Sequence, residues 1–310
     1  MQLLGFKTAT AALALLAMSG VASAESIERS WSHGGRVGAH RGVLCPTNEP
    51  ANKTREAENA PLIAAHAKKL ANARLALAHD ASANERVTSR VIKVYFHVID
   101  NGSQGKVSSG RISSQLTVLN NDYRSAGYRF DLVSVSRTTN SRWFNIGGDS
   151  DSAAIQMKNS LRVGGKGDLN LYSANLANGL LGWSTFPWNY ASNPKMDGVV
   201  IHMNSIPGSS NFAPYDLGRT ATHEIGHWLG LYHPFQGESC SSSNPGDYVS
   251  DTPLQANPTF GCPARKNTCS APGLDSVHNF LDYSDDSCMQ SFTDGQKSRM
   301  HVYSGRYRSI

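Results

Sequence analysis

The chain has 310 residues, of which 29 are Lys or Arg and 24 are Asp or Glu, so its formal net charge is +5 with neutral histidines. This small surplus is too weak to indicate nucleic acid or an anionic membrane as a partner, and it is typical of an ordinary soluble surface. The length allows one or two domains.

The first 24 residues have the pattern of a secretory signal peptide. One basic residue, Lys7, precedes an apolar run, and the segment ends in Ala22-Ser23-Ala24, the small-residue pattern that signal peptidase cleaves. The run is shorter than the roughly 20 apolar residues that cross a bilayer core. We therefore expect residues 1–24 to be a signal peptide and the protein to be secreted and extracellular, with no membrane anchor.

Residues 25–86 differ in composition from the rest of the chain. The stretch Glu56 to Ala83 is rich in Ala, Lys and Glu, which predicts a helix, but it has few large apolar side chains. A segment with so little to bury is not expected to form a domain of its own. The composition alone is compatible with a linker, a disordered tail or a propeptide.

From Val87 onward the pattern changes to interleaved strands and helices. Strands are predicted at 91–99, 130–135, 169–172 and 199–203, and helices at 111–126 and 152–161. This alternation predicts a mixed sheet with helices packed on it. After Tyr232 regular structure is expected to be sparse until a last helix, which begins at Thr293 with a capping box to Gln296.

Five cysteines lie at positions 45, 240, 262, 269 and 288. In an oxidising compartment the four near the C-terminus should form two disulfides, for which counting alone leaves three pairings. The surrounding segment is rich in Gly, Pro, Ser, Asp and Asn, and it needs such covalent links to stay ordered. Cys45 stands apart and requires a separate explanation.

The residues that carry chemistry lie in the segment from Thr222 to His233. His223 and His227 are four positions apart, so on a helix both can bind one metal ion, with Glu224 beside them. Gly230 allows a sharp turn that brings His233 round as the third ligand. Three neutral imidazoles leave a fourth position open for water, as in a catalytic zinc site. A chance occurrence of all five fixed positions is rare.

The pattern His-Glu-x-x-His-x-x-Gly-x-x-His resembles the zinc signature of the metzincin metallopeptidases. Further segments are similar to the pappalysin family (peptidase M43), especially its compact secreted microbial members. These segments include 179–188, 246–253, 261–263, 279–288 and 292–296. The resemblance covers most of the chain from Val87.

The resemblance implies an α/β (α+β) metzincin-like fold. A twisted mixed sheet with packed helices would lie above the active-site cleft, and an irregular disulfide-stapled lower subdomain would end in a helix. It makes residues 25–86 a propeptide and residues 87–310 the catalytic domain, with an upper part at 87–230 and a lower part at 231–310. It also implies the disulfides Cys240–Cys269 and Cys262–Cys288.

Two positions in the segment 279–288 bear on the site. Metzincins place a methionine under the zinc, whereas this chain has Leu281 at that position. Leucine has a similar volume and no polar atoms. It should therefore preserve the apolar floor of the site at a modest cost in stability. Tyr283 is at the position from which a tyrosine hydroxyl reaches the metal in related enzymes. The resemblance implies a metal ligand at rest or a donor to the oxyanion, against the alternative of a packed tyrosine.

Cys45 is expected to be a cysteine switch. The family includes precursors in which a propeptide thiolate fills the open position of zinc. The family pattern has glycine after the cysteine, whereas this chain has Pro46. The alternative is a spare thiol in a disordered tail.

Weaker patterns predict two further kinds of site. Asp247 and Asp251 could bind Ca²⁺, because hard oxygen ligands cluster there, or they could act as helix caps and turn formers. The sequons at Asn52 and Asn101 predict N-glycosylation in a host that modifies them.

We therefore expect a secreted, monomeric zinc endopeptidase made as a zymogen, acting on protein or peptide substrates through one zinc ion and Glu224. Two alternatives belong to other classes. One is a zinc hydrolase of non-peptide amides, and the other is a secreted binding protein with a vestigial zinc site. The intact Glu224 disfavours the second, because a structural zinc has no use for a general base.

Overall fold

The computed structural model describes residues 45, 50–79, 89–241, 243 and 245–310. The predicted signal peptide, most of residues 25–49 and the predicted boundary near residue 86 lie outside these residues. Within the described part of the chain, no helix is both long enough and apolar enough to cross a membrane.

The helices and strands follow the predicted alternation. The helices are α1 (Lys53–His79), α2 (Ser109–Tyr123), α3 (Ser141–Phe144), α4 (Ser152–Leu161), α5 (Arg219–Trp228) and α6 (Asp294–Tyr303). The strands are β1 (Arg90–Asp100), β2 (Tyr128–Thr139), β3 (Asn145–Ile146), β4 (Leu169–Leu176), β5 (Gly182–Ser184) and β6 (Val199–His202). The predicted bounds of α4 are confirmed, and β2 extends several residues beyond the predicted strand.

The strands form a six-stranded mixed sheet in the order β2-β1-β4-β6-β5, with β3 paired to β4. All pairs are parallel except β5 with β6, which is antiparallel. The predicted mixed sheet is thus confirmed. The antiparallel β5 lies at one edge, next to α5, so the helix that carries the histidines sits beside this edge.

Alternating side chains bury the sheet on both faces. On one face, β1 residues such as Ile92, Val94 and Phe96 join a core cluster with the predicted apolar side of α2, including Leu119, and with α5, including Ile225. The opposite face has a second cluster with α3 and α4. The β-rich runs that predict these strands thus supply residues to both core clusters.

The lower part is irregular up to α6, as the composition predicted. Disulfides join Cys240 to Cys269 and Cys262 to Cys288, the pairing implied by the resemblance. Thr293 caps α6, and Gln296 completes the predicted capping box. Apolar residues of this part, including Leu281 and Met300, belong to the same core cluster as the sheet. The upper and lower parts therefore share one core.

Helix α1 packs against α6. Most of its described side chains are exposed, in keeping with its composition, but Glu56 and Asn59 are buried. That residues 25–86 form no domain of their own stays a prediction. Helix α1 makes polar contacts with α6, among them the ion pair between Glu56 and Arg299.

Candidate metal centre

Two of the predicted metal ligands project from α5. His223 and His227 are one helical turn apart, and both are buried together with the intervening Glu224. An i, i+4 pair lies on one helix face, so the two imidazoles point to the same space. Their Nε2 atoms are 3.1 Å apart.

The third ligand is brought in by a glycine turn at the end of α5. Gly230 has a φ of 102°, in the left-handed region that favours glycine. Its N–H donates to the carbonyl of His227 at 2.8 Å, and the N–H of Leu231 donates to the carbonyl of Gly226 at 2.9 Å. These two bonds form a Schellman motif that ends the helix and reverses the chain. His233 follows and returns to the face of α5.

Replacing Gly230 with alanine should destabilise the protein, because a Cβ there would lie 2.8 Å from the Cβ of Tyr303. Backbone strain and overpacking together should lower the free energy of unfolding by about 2–5 kcal/mol, and the displaced His233 should reduce bound zinc. Denaturant unfolding and metal analysis would measure both effects. Gly261→Ala is a matched control, since Gly261 has a φ of +71° but a Cβ placed on it would meet no atom of the described residues within 4 Å. Equal losses in both variants would contradict the proposed crowding against Tyr303.

The three imidazoles converge in the geometry of a tetrahedral metal site. The Nε2 atom of His233 lies 3.1 Å from the Nε2 atoms of both His223 and His227. Zinc–nitrogen bonds of about 2.05 Å at tetrahedral angles place such nitrogens about 3.3 Å apart. The spacing in the structure therefore suits three ligands of one zinc ion.

Hydrogen bonds on the opposite ring nitrogens favour the ligand tautomer. Nδ1 of His223 donates to the carbonyl of Phe280 at 2.8 Å, and Nδ1 of His227 donates to the carbonyl of Leu231 at 2.7 Å. With the proton on Nδ1, each Nε2 presents a lone pair toward the other imidazoles. Facing lone pairs at this distance repel each other unless a cation lies between them. The donor set thus fits a metal ion.

Burial keeps these side chains neutral. It lowers the pKa of His223 to about 4 and the pKa values of His227 and His233 well below 6.5, with neighbouring imidazoles adding to the effect for the latter two. Neutral imidazole is the form that binds a metal. The site is therefore ready to accept a cation at neutral pH without losing protons first.

Glu224 lies beside the three imidazoles and is buried against β5. A Cβ placed on Gly182 of β5 would lie 2.8 Å from the Cγ of Glu224, so the glycine makes room for this side chain. Burial raises the pKa of Glu224 to about 8, and a hydrogen bond from the Cys45 thiol opposes this shift. A dication at the histidines would favour the charged carboxylate and lower this pKa.

Leu281 forms the apolar floor of the site. It is fully buried, and its Cδ2 would be 3.0 Å from a Cβ placed on Gly226 in the middle of α5. The carbonyl of the preceding Phe280 holds His223. Leucine at this position therefore still packs under the histidine helix, as expected from its volume.

Tyr283 lies at the edge of the histidine cluster. Its ring centroid is 5.6 Å from that of His223 and 5.1 Å from that of His233. Its hydroxyl donates to the backbone carbonyl of Cys45 at 3.1 Å. The side chain is thus next to the site, and its hydroxyl is engaged with the segment that carries Cys45.

Cys45 lies on the open side of the imidazole cluster. Its Sγ and the ligand nitrogens of His223, His227 and His233 all lie within 4.8 Å of one another. The thiol donates to Oε2 of Glu224 at 3.3 Å, and the residue is buried. The sulfur is thus close to the three ligand nitrogens and to the Glu224 carboxylate.

The structure does not support the expected calcium site at Asp247 and Asp251. Asp251 accepts hydrogen bonds from the Thr293 hydroxyl and the Gly295 N–H, both at 2.8 Å, at the start of α6. Asp247 accepts from the N–H of Val249 at 3.1 Å. Both acids therefore act as a helix cap and a turn former, which was the alternative interpretation.

The two predicted glycosylation sites are in turns. Asn52 is exposed, and its side-chain oxygen accepts from the N–H of Arg55 at the start of α1. The side-chain oxygen of Asn101 accepts from the N–H groups of Ser103 and Gln104. Glycosylation at these residues stays a prediction.

Sequence reasoning missed a second buried cluster close to the metal centre. Glu56 of α1 forms an ion pair with Arg299, and Tyr232 and Tyr303 contact the same carboxylate. These residues are far apart in the sequence and match no motif. The one signal in the sequence was a glutamate in a helix with few apolar residues, which normally indicates a solvated face.

Comparisons with known proteins match metallopeptidases. A family model described as pregnancy-associated plasma protein-A, of the peptidase M43 family, matches residues 166–303. The extracellular metalloprotease 1 of Coccidioides posadasii is 44% identical over 224 residues, which cover 70% of this chain and 78% of that protein. An extracellular metalloprotease of Pyricularia oryzae is 40% identical and covers 86% of this chain and 89% of its own.

Solved structures give a similar result. Mature mirolysin of Tannerella forsythia, in complex with a cleaved peptide, has a TM-score of 0.59 and 31% identity, and covers 69% of this chain and 90% of its own. A promirolysin mutant from the same organism has a TM-score of 0.61 and 29% identity, and covers 82% of this chain and 88% of its own.

Proposed function

Because this chain belongs to the pappalysin family of metallopeptidases (peptidase M43), we propose that it hydrolyses peptide bonds with a zinc ion on His223, His227 and His233 and with Glu224 as the general base. It is a secreted metalloendopeptidase, in line with relatives named extracellular metalloproteases. Its substrates are proteins or peptides.

A single observation carries the assignment of the site. Three Nε2 atoms converge at 3.1 Å from one another, and a buried carboxylate lies next to them. A structural zinc site closes with four protein ligands, whereas a catalytic site keeps one position for water or substrate. Three histidines with an adjacent glutamate match the catalytic arrangement.

The chemistry divides between the metal and the protein. Zinc, when bound, supplies Lewis-acid polarisation of the scissile carbonyl and lowers the pKa of a coordinated water. Glu224 accepts a proton from the attacking water and then donates it to the leaving amine. Its enclosure under Gly182 favours this shuttle, because a buried carboxylate with few alternative partners changes protonation state readily near neutral pH.

Tyr283 has a supporting role in this proposal. Its ring lies beside His223 and His233, so a rotation of the side chain can bring the hydroxyl near the carbonyl oxygen of a substrate. There it would donate a hydrogen bond to the oxyanion. In the precursor this hydroxyl is held by the Cys45 carbonyl.

The precursor is proposed to be a zymogen closed by Cys45, with residues 25–86 as the propeptide. The proximity of the Cys45 thiol to the three imidazoles and Glu224 supports this switch. Thiolate is a strong zinc ligand, so it competes with water for the fourth position. The similarity to a promirolysin structure over 82% of the chain, against 69% for mature mirolysin, also supports a precursor form.

Removing the metal should abolish peptide hydrolysis. After treatment with a zinc chelator, the processed protein should lose at least about 99% of its activity on unfolded casein, because the Lewis acid contributes several kcal/mol to the barrier. Adding one equivalent of Zn²⁺ should restore it. Metal analysis before and after treatment would give the stoichiometry. Full activity in metal-free protein would contradict the proposal.

The same assay separates the alternatives. A hydrolase of non-peptide amides would cleave small amides and leave unfolded proteins intact. A binding protein with a vestigial site would hold zinc but cleave neither. Mass spectrometry of the fragments from a denatured protein mixture would then define which side chains flank the cleaved bond.

A further inference from the structure

The carboxylate of Glu56 lies in a pocket formed by residues of the catalytic part. The side chain of Arg299 is fully buried and that of Glu56 is 4% exposed. Acidic and basic side chains are almost never buried this deeply unless they are paired, because desolvation disfavours the charged form. The pocket therefore has to supply strong compensating contacts.

Four hydrogen bonds reach the two oxygens of Glu56. Arg299 donates from Nη1 to Oε2 at 2.5 Å and from Nη2 to Oε1 at 3.2 Å. The Tyr303 hydroxyl donates to Oε2 at 2.9 Å, and the Tyr232 hydroxyl donates to Oε1 at 3.2 Å. A bidentate guanidinium with two phenol donors fits the two oxygens of a carboxylate group. Burial alone would raise the pKa of Glu56, but its contacts with Arg299, Tyr303 and Arg55 together outweigh burial and lower it.

The pocket is held in shape by contacts that do not involve α1. Arg299 and Tyr303 are one turn apart on α6, and the Arg299 guanidinium lies over the Tyr303 ring at 4.3 Å and the Tyr232 ring at 4.8 Å. Nε of Arg299 donates to the carbonyl of Gly230 at 2.8 Å. These contacts fix the guanidinium in place before a carboxylate arrives.

Neighbouring contacts give α1 a defined orientation on this surface. Arg55 lies over the ring of Trp188 at 3.6 Å and donates to the Tyr232 hydroxyl at 2.8 Å. One turn after Glu56, the buried Asn59 accepts from Arg306 at 3.0 Å. Further along, the ring of His66 stacks on His301 at 4.8 Å. The helix is thus docked along α6, with the charge of Glu56 deeply buried in the contact.

We propose that Arg299, Tyr232 and Tyr303 form a carboxylate-binding site of the catalytic part, separate from the metal centre, in which Glu56 anchors α1 and thereby keeps Cys45 at the metal. The same site binds α1 as a separate peptide after the chain is cleaved. The proposal rests on the proposed function in two respects, namely that α1 belongs to a propeptide and that Cys45 closes the metal centre.

Anchoring favours the thiol contact through effective concentration. Cys45 lies shortly before Glu56 in the chain, so docking of α1 confines the thiol to a small volume near the imidazoles. The pocket also touches the turn that carries the third histidine, since it uses the Gly230 carbonyl and Tyr232, next to His233. Release of Glu56 would remove the carboxylate that is hydrogen-bonded to the buried Arg299 guanidinium.

The first experiment uses the full zinc-loaded chain with Glu224→Gln, so that it cannot process itself. Glu56→Gln should lower the hydrogen-exchange protection of α1 by about a hundredfold, because it removes one partner of a buried ion pair. Reaction of Cys45 with a thiol reagent should accelerate to a similar degree. Unchanged protection of α5 would show that the catalytic part remains folded.

Glu58→Gln is the matched control on the same helix. Glu58 pairs with Arg306 at 3.0 Å, but both side chains are about half exposed, and such pairs contribute little. Its α1 protection and thiol reactivity should stay within about twofold of the parent values. Equal behaviour of the two variants would overturn the proposed anchor.

The second experiment tests the site in the processed enzyme. A labelled peptide of residues 50–79, which lacks Cys45, should bind, and the Glu56→Gln peptide should bind about a hundredfold more weakly. The Glu58→Gln peptide should match the parent peptide. Equal binding of all three, or of none, would overturn the carboxylate site.

These measurements separate the anchor from the proposed function. If Cys45 reacts rapidly in the parent chain while Glu56→Gln still exposes α1, the switch is wrong and the carboxylate site stands. If the parent thiol is protected and Glu56→Gln changes nothing, the site is wrong and the switch stands. None of the readouts depends on peptide hydrolysis.

Discussion

Replacing Glu224 with glutamine should lower kcat of the processed enzyme by about 10²–10⁴-fold, the usual contribution of a general base. Glutamine fills the same space under Gly182 but cannot accept the proton of the attacking water. Since Glu224 is not among the three imidazole ligands, zinc content should be unchanged. Steady-state hydrolysis of a peptide substrate, together with metal analysis, would measure both quantities.

A matched substitution controls for the loss of a negative charge. Glu238 is exposed and lies outside the histidine cluster, so Glu238→Gln should leave kcat within about twofold of the parent value. If Glu224→Gln turned over at a near-normal rate, the proton transfers would have to be assigned to another group. Loss of zinc in this variant would instead make Glu224 a structural support of the site.

Replacing Cys45 with serine should make the unprocessed precursor active. A serine hydroxyl stays protonated at neutral pH and is a much weaker zinc ligand than a thiolate, so substrate and water gain access to the fourth position. Hydrolysis of a short peptide by the intact precursor should rise at least about tenfold, since losing even 1.4 kcal/mol of inhibitory contact gives that factor. Gel analysis must show that the chain is uncleaved.

Cobalt substitution provides a readout that is independent of activity. A cobalt-loaded precursor should show a sulfur-to-metal charge-transfer absorption if the Cys45 thiolate is a ligand, and Cys45→Ser should lack it. The processed parent enzyme is the reference for a site without sulfur. A precursor without this absorption, or a serine variant as inactive as the parent, would show that latency has another cause.

A precursor that carries both Cys45→Ser and Glu56→Gln would show how much each of the two proposed contacts contributes to the inactivity of the precursor. If α1 anchoring acts only by positioning Cys45, Glu56→Gln should add little activity once the thiol is gone. If docked α1 also obstructs substrate, the double variant should be more active than Cys45→Ser alone. The two substitutions are close in the chain, so non-additive effects are expected.

Features that depend on neighbouring residues were predictable from the sequence. The helical spacing of His223 and His227, the turn at Gly230 and the capping box at Thr293 all arise from contacts within a few positions. The β-rich runs and the helical segments interleaved with them likewise predicted the mixed sheet and its helices. These patterns follow from backbone geometry, which repeats every 2 or 3.6 residues whatever the rest of the chain does.

Resemblance to a family supplied a second group of predictions that local patterns could not give. Counting left three ways to pair four cysteines, and the family pattern selected the one found in the structure. The floor at Leu281 and the position of Tyr283 next to the imidazoles were also inferred from aligned motifs. Their spatial relation to α5 depends on a chain return of more than fifty residues, which no local rule describes.

Only the tertiary structure showed that α1 packs on α6 and buries Glu56 there. No motif in the sequence singles out Glu56, Arg299 or Tyr303. Docking α1 on α6 brings them together across a separation of 243 residues. Such a pair has no periodic signal, because it forms only where the fold brings two charged groups from distant parts of the chain into contact, and their contacts then offset the cost of desolvation. The sequence by itself determined the residues of the metal site, whereas long-range packing decided which residues lie against it and which distant charges meet.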